Sequence, residues 1–301
     1  MLDYVIVTPA FNEDRHIGRT IEAVLAQTRL PAAWFIVDDG SSDTTGAVAR
    51  SYARRYPWID VSLRERVPAE SYYASNVYAL RQGIERAAGV SYEFLAILDA
   101  DIELESDYYE RILSRFEKYP RLGIASGTYV EHDGEKLIEA KIDRRHTPKA
   151  IQVFRRACYE EIGGYIPFKN GGEDSGTELM ARMHGWQTWS FSDLRALHLR
   201  PVGMGSTRSV LRSRFRFGLT DHGLGTHPLF MVAKCARRAF WERPFIISAA
   251  LRLIGYLSGF LTRQPIQMPP EAVRYLRKEQ LGRLLSLNSF REEDWVPDEG
   301  R

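Results

Sequence analysis

The chain has 301 residues, 44% of them hydrophobic and 27% charged, an ordinary globular composition that excludes a disordered or fibrous protein. Two cysteines far apart, Cys158 and Cys235, exclude a disulfide framework and a cysteine zinc site, and they fit a reducing compartment. The net charge of +2 hides an asymmetry: residues 1–200 carry 25 Lys and Arg against 30 Asp and Glu, whereas residues 201–301 carry 16 against 9. Such a basic segment is either a solvated helical face or one that meets an anionic surface.

The opening MLDYVIVT has no basic leader and no cleavage site, so residues 3–8 read as a first strand rather than a signal peptide. Asn12 reads as the N-cap of a following helix with apolar positions Ile17, Ile21, Val24 and Leu25. WFIVD (34–38) is a second strand. Gly40 then permits a tight turn, and Ser41, Ser42 and Asp43 offer cap oxygens to the next helix. Capping needs one such residue, which leaves Asp38 and Asp39 over as carboxylates able to accept hydrogen bonds from a base or a ribose. IDVSL (59–63) and FLAILD (94–99) are further strands, with a helix over 76–89 between them. Alternation of doubly apolar strands with helices predicts a mostly parallel sheet covered on both faces. Ligands of such sheets bind beyond the carboxyl ends of the strands. The polar groups of residues 8–13, 38–43 and 99–101 therefore belong on one edge.

LDAD (98–101) places two carboxylates two residues apart at a strand end. Mg²⁺ and Mn²⁺ take oxygen ligands, commonly one or two carboxylates together with substrate phosphates. The alternative is solvation, with Asp101 capping the helix in SDYYERILSRF. GGEDSGTELMARMHGW (171–186) sets Glu173 and Asp174 between a Gly-rich loop and a helical period of Leu179, Met180 and Met183. There a carboxylate either compensates the helix dipole or does chemistry. His198, in the strand-like ALHLRP, is either a core residue or an imidazole ligand suited to Mn²⁺. GTHPLF (225–230) marks a boundary. Beyond it FIISAALRLIGYLSGFL (245–261) is apolar for 17 residues but contains Arg252. A bilayer span needs roughly 20 apolar residues. The stretch therefore reads as a helix lying on a membrane surface or packed on the protein.

VTPAFNE, VDDGSSD, LDAD, GGED and HLR, in this order, resemble the family-2 glycosyltransferases over roughly residues 3–200. RRACYEEIGGY, GWQTWSF and GTHPLF further resemble a bacterial subgroup linked to exopolysaccharide and cell-surface glycan assembly. The resemblance implies an α/β protein of the GT-A (nucleotide-diphospho-sugar transferase) fold, with a mostly parallel Rossmann-like sheet, helices on both faces and a C-terminal helical extension. On this reading residues 1–225 form the nucleotide-sugar-binding and catalytic domain. Residues 226–301 form a helical, basic extension associated with a membrane surface.

The implied activity is inverting transfer of a sugar from a nucleotide diphosphate to an acceptor hydroxyl, with Mn²⁺ or Mg²⁺ as cofactor. By position, Pro9, Phe11 and Glu13 would line the nucleotide pocket, Asp39 would bond the base, and Asp99 would sit near the ribose. Asp101 would bind the metal with His198 as a further ligand. Asp174 would be the general base and Glu173 its neighbour in the acceptor site. Many relatives carry Ala-Arg-Asn before Gly-Ile in the helix ahead of LDAD. Here ALRQGI puts Leu80 at the Arg position and leaves Arg81 as the candidate cation for the diphosphate. The QxxRW motif of processive polymerases is missing, and VLRSRFRFG (210–218) stands in its region, which implies one sugar per encounter. Arg212, Arg214 and Arg216 there would meet an acceptor phosphate or form a solvated face.

The expected partners are a nucleotide-diphosphate sugar donor, a glycan or lipid-linked acceptor and a membrane surface, with no nucleic acid; the expected location is the cytoplasm, peripheral at the inner membrane face. A nucleotidyltransferase would want a Gly-rich, basic loop after the first strand, and PAFNEDRH is not one. A Rossmann oxidoreductase would want G-x-G-x-x-G there. A non-catalytic glycan-binding protein on the same fold is the remaining alternative.

Overall fold

Every residue of β1 (Tyr4–Ala10) is buried, as in a strand covered on both faces. It pairs in parallel with β2 (Ala33–Asp38) and with β4 (Phe94–Ile97), and β2 pairs in parallel with β3 (Ile59–Leu63). Helices α1 (Ile17–Leu25), α2 (Thr45–Ala53) and α3 (Tyr72–Arg86) make the crossovers. The computed structural model describes residues 3–67, 71–133, 136–139, 143–200, 209–240 and 242–285. The acidic end of the chain, 292–301, lies outside the described residues.

Beyond β4 the sheet becomes mixed. β8 (Val153–Arg155) runs antiparallel to both β4 and β6 (Leu122–Asp133), and β7 (Lys136–Glu139) is antiparallel to β6. β9 (Gln187–His198) is parallel to β6, and the short β5 (Ile102–Leu104) runs antiparallel to β9. The described order is β3-β2-β1-β4-β8-β6-β9-β5, with β7 off the path on β6. The register of β6 on β9 shifts at Gly127, where a Cβ would overlap the Leu194 carbonyl. The β5–β9 pairing sets Ile102 opposite His198.

Two starts differ from the sequence reading. α1 begins at Ile17, not after an Asn12 cap. Asn12 instead adopts φ +56°, and its Oδ1 accepts from the Ser42 backbone N–H at 2.9 Å, tying the first loop to the second. The helix after LDAD, α4 (Tyr108–Lys118), starts seven residues beyond Asp101, because β5 intervenes. Asp101 is therefore not its cap.

The chain forms two compact units from interleaved stretches: residues 1–70, 75–164 and 184–202, and residues 71–74, 165–183 and 203–301. The first holds the sheet with α1, α2, α4 and α5 (Arg156–Glu161). The second holds α6 (Glu173–Met183), α7 (Val210–Gly223), α8 (Pro228–Arg238), α9 (Phe245–Leu261) and α10 (Pro270–Leu285). In the second unit Phe168, Leu179, Met268, Ala272 and Val273 make one small core, and Met231, Cys235, Ala249 and Tyr256 another.

Candidate active site

Because β1, β2 and β4 are adjacent and parallel, their carboxyl ends share one edge. Thr20 on α1 clamps the LDAD loop there: its hydroxyl donates to the Ala100 carbonyl at 2.9 Å and accepts from the Ile102 N–H at 3.1 Å. Asp99 accepts from Lys149 Nζ at 2.6 Å. Asp101 is 1% exposed. Its backbone carbonyl accepts from the Leu199 N–H at 2.9 Å, continuing the β5–β9 ladder. That ladder brings two residues to the Asp101 side chain. His198 Nδ1 stands 3.7 Å from Oδ2, and Arg200 Nε is 2.5 Å from the same oxygen. The other end of the Arg200 guanidinium reaches Glu13 Oε1 at 2.5 Å. Glu13 is itself buried, and its N–H is held by the Thr45 hydroxyl at 2.7 Å.

This is a crowded set of charges. Burial first, and then the Asp101 charge, push the Glu13 carboxyl up to about 8, while Arg200 pulls the other way. Arg200 forms an ion pair with Asp101 Oδ2. Asp101 Oδ2, His198 Nδ1 and Glu13 Oε2 are all buried without a hydrogen-bond partner. Leaving such atoms unsatisfied is costly. A carboxylate oxygen and a neutral imidazole nitrogen facing each other are donors that Mn²⁺ accepts, so these residues fit a divalent ion. Among the described residues no group of three or more His, Cys, Asp and Glu could hold a metal by itself, so substrate oxygens would have to complete its shell.

The second loop is more occupied than the sequence suggested. Asp39 accepts from Arg64 Nη1 at 2.5 Å and from the Ser75 hydroxyl at 2.7 Å, with Arg66 Nε at 3.6 Å. The Arg66 guanidinium lies 4.0 Å over the Phe11 ring, an arrangement in which ring and cation attract. Asp38 accepts from the Ser41 N–H at 3.0 Å and closes the turn at Gly40, whose φ is +75°. Pro9 is buried at the end of β1. On α3, Leu80 is buried and Arg81 is exposed, with its guanidinium 5.8 Å from the Tyr78 ring.

In the second unit, Gly171 and Gly172 have φ +83° and +105°, values an L side chain rarely adopts. They deliver Glu173 and Asp174 to the first turn of α6. Glu173 is buried and Asp174 half-buried. The loop is tied to α7 through the Asn170 carbonyl, which accepts from Arg216 Nη1 at 2.8 Å and from the Thr220 hydroxyl at 2.9 Å. Arg216 also stacks 4.6 Å over Tyr73. Arg214 pairs with Glu242 at 2.7 Å. Arg214 and Arg216 of VLRSRFRFG thus have partners inside the second unit, and Arg212 is exposed.

Sequence reasoning assigned no role to Arg200, Lys149, Arg64 or Ser75. Arg200 was visible within HLR, two residues after His198 on the same strand end. The others come from loops and helices with no spacing signal.

The profile of Glycosyl transferase family 2 matches residues 5–178. The chain is 27% identical over 230 residues to Glycosyltransferase AglE of Haloferax volcanii, covering 71% of each. It is 28% identical over 117 residues to the poly-beta-1,6-N-acetyl-D-glucosamine synthase of Staphylococcus epidermidis, covering 39% of this chain and 26% of that one. Among solved structures, the mannosyltransferase PcManGT of Pyrobaculum calidifontis, determined with GDP-Man and Mn²⁺, aligns over 93% of this chain and 80% of its own at a TM-score of 0.56 and 16% identity. TarS of S. aureus, determined with UDP-GlcNAc, aligns over 91% and 80% with the same score and identity. These likenesses show the GT-A fold. With more than half of its length matched by the family profile, the chain belongs to glycosyl transferase family 2 and is a glycosyltransferase.

Proposed function

We propose that this enzyme moves a sugar from a nucleotide diphosphate to an acceptor hydroxyl with inversion and with a divalent cation, one sugar per encounter. The observation that carries the reading is the juxtaposition of two buried groups with metal-binding chemistry, Asp101 Oδ2 and His198 Nδ1, 3.7 Å apart at the carboxyl edge of the sheet. Those two residues would hold Mn²⁺ or Mg²⁺, which when bound neutralises charge developing on the leaving diphosphate. Two solved GT-A proteins carry Mn²⁺ with a bound nucleotide or nucleotide sugar, which supports the cofactor class.

The chain's own groups have the remaining roles. Pro9, Phe11 and Glu13 line the nucleotide pocket, with Asp39, Asp99 and Arg81 toward the base, ribose and diphosphate. An acceptor hydroxyl is a poor nucleophile, and a carboxylate must take its proton as it attacks. Asp174 is the base; its partial exposure suits that task better than the buried Glu173, which we assign to the acceptor site. The acceptor is a lipid-linked or surface-glycan intermediate, met at the inner face of a membrane.

A thermal-shift screen of nucleotide diphosphates and their sugars, with and without Mn²⁺, tests the reading. One donor class should raise the melting temperature, and more so with Mn²⁺, because a ligand of the native state stabilises it by mass action. Asp101→Ala should abolish the Mn²⁺-dependent part. Asp174→Asn should keep the donor shift and lower transfer by about 10²–10⁴-fold, the usual worth of a general base. No shift with any donor, or full transfer by Asp174→Asn, would refute the corresponding role.

A further inference from the structure

α8 and α9 pack against each other within the second unit, and each leaves one face uncovered. On α9 the buried positions are Ser248, Ala249, Arg252, Gly255, Tyr256 and Gly259. They pack so closely on α7 that a Cβ on Gly255 would overlap the Phe215 carbonyl. The opposite stripe, Ile246, Ala250, Ile254, Leu257 and Leu261, repeats at helical spacing and is wholly apolar. Ile246 is 75% and Leu261 84% exposed. On α8 and just beyond it, Leu229, Val232, Ala236 and Phe240 make a second stripe, with Phe240 84% exposed. Exposed apolar surface of this extent marks an interaction site.

The charge pattern selects the partner. Between His222 and Pro270 the chain has six Lys and Arg and one acid, Glu242. Glu242 is buried, held by Arg214, Arg238 and Arg252. Arg252, which interrupts the apolar run in sequence, points inward to Asp221 at 3.3 Å, so it leaves the exposed stripe clean. The exposed charges here are Arg237, Arg243 and Arg263, all positive. An apolar stripe rimmed by arginines is the pattern of helices that lie in the interface of an anionic bilayer. Crossing is excluded for α9. Its 17 residues span about 26 Å against a core of about 30 Å, and no described helix is long and apolar enough to cross.

We propose that the α8–α9 face docks on an anionic lipid bilayer, with its apolar stripes at the acyl boundary and Arg237, Arg243 and Arg263 on the headgroup phosphates. This deepens the membrane-side location proposed above and rests on it.

The test is co-sedimentation of the full chain with vesicles of phosphatidylcholine alone and of phosphatidylcholine with phosphatidylglycerol. The chain should bind the anionic vesicles, more weakly as salt rises, and bind the neutral ones poorly. Phe240→Ser/Ile246→Ser/Leu261→Ser should weaken binding at least about tenfold. Arg237→Gln/Arg243→Gln should weaken it about twenty-five-fold, at about fivefold per cation near such a surface. Both variants should keep the wild-type donor-induced thermal shift, which shows that they fold. Absence of wild-type binding, or unchanged binding by the apolar variant, overturns the proposal. So does a wild-type dimer that the apolar variant dissolves while vesicles are ignored, since a second copy would then cover the face. A wild type that binds vesicles but no donor would sink the donor reading and leave the docking surface standing.

Discussion

Arg200 shows how a single side chain reorganises the reading of a site. It bridges Glu13 and Asp101, two buried carboxylates that would otherwise repel across a poorly solvated space. The cluster makes a pH prediction. Glu13 has its folded pKa raised from its ordinary value to about 8, chiefly by burial. Between those values the folded state binds the proton more tightly than the unfolded chain, so Glu13 lowers stability as pH rises from about 4.5 to about 8. His16 works in the opposite sense: burial holds its imidazole below the ordinary value, so its contribution rises with pH below that point. The difference between wild type and Glu13→Gln isolates the carboxyl. Urea unfolding across the window should show the gap growing toward pH 8 in favour of the variant; a constant gap would refute the shift.

At the scale of elements, the strands with continuous apolar runs were legible. β1, β2, β3 and β4 sit where the sequence placed them: β1, β2 and β4 are almost wholly buried and read as apolar runs, whereas β3, at the end of the sheet, alternates apolar and polar residues. β6 and β8 were not read. β6 runs through Gly123, Ser126, Gly127 and Thr128, and its strand character comes from its neighbours and a register shift, not from its own pattern. The Gly-rich loop before α6 was legible as a loop, and its conformation gives it a testable rigidity. Gly172→Ala puts a methyl 2.5 Å from Thr220 Cγ2 at a φ of +105°. The expected loss is about 1–3 kcal/mol of stability, read by chemical unfolding, with a further fall in transfer because Glu173 and Asp174 follow directly.

Across the whole molecule, the basic excess of residues 201–301 divides into two populations. Part of it is consumed inside the second unit, where Arg214, Arg238 and Arg252 surround Glu242, and Lys234 and Arg252 meet Asp221. Arg237, Arg243 and Arg263, by contrast, are exposed. Glu242→Gln removes one of the two acids holding this network and should cost about 3–5 kcal/mol, the range for breaking a buried ion pair from one side. Guanidinium unfolding with an unchanged m-value would measure it; a loss under about 1 kcal/mol would mean that the arginines are solvated after all.

The sequence by itself determined the family, the parallel strands, and the edge on which LDAD and VDDGSSD would meet, because continuous apolar runs and strand-end polar motifs are local properties of the chain. It also bounded the 245–261 helix as too short to cross a bilayer. Only the tertiary structure decided which partners those motifs have. Asp101 is no helix cap because β5 intervenes; Asp39 is claimed by Arg64 and Ser75; Arg252 turns inward with the buried face of its helix while the apolar stripe on the other side faces out. Each depends on residues far apart in the chain being brought together by strand pairing and helix packing, and no local pattern of spacing encodes those distances.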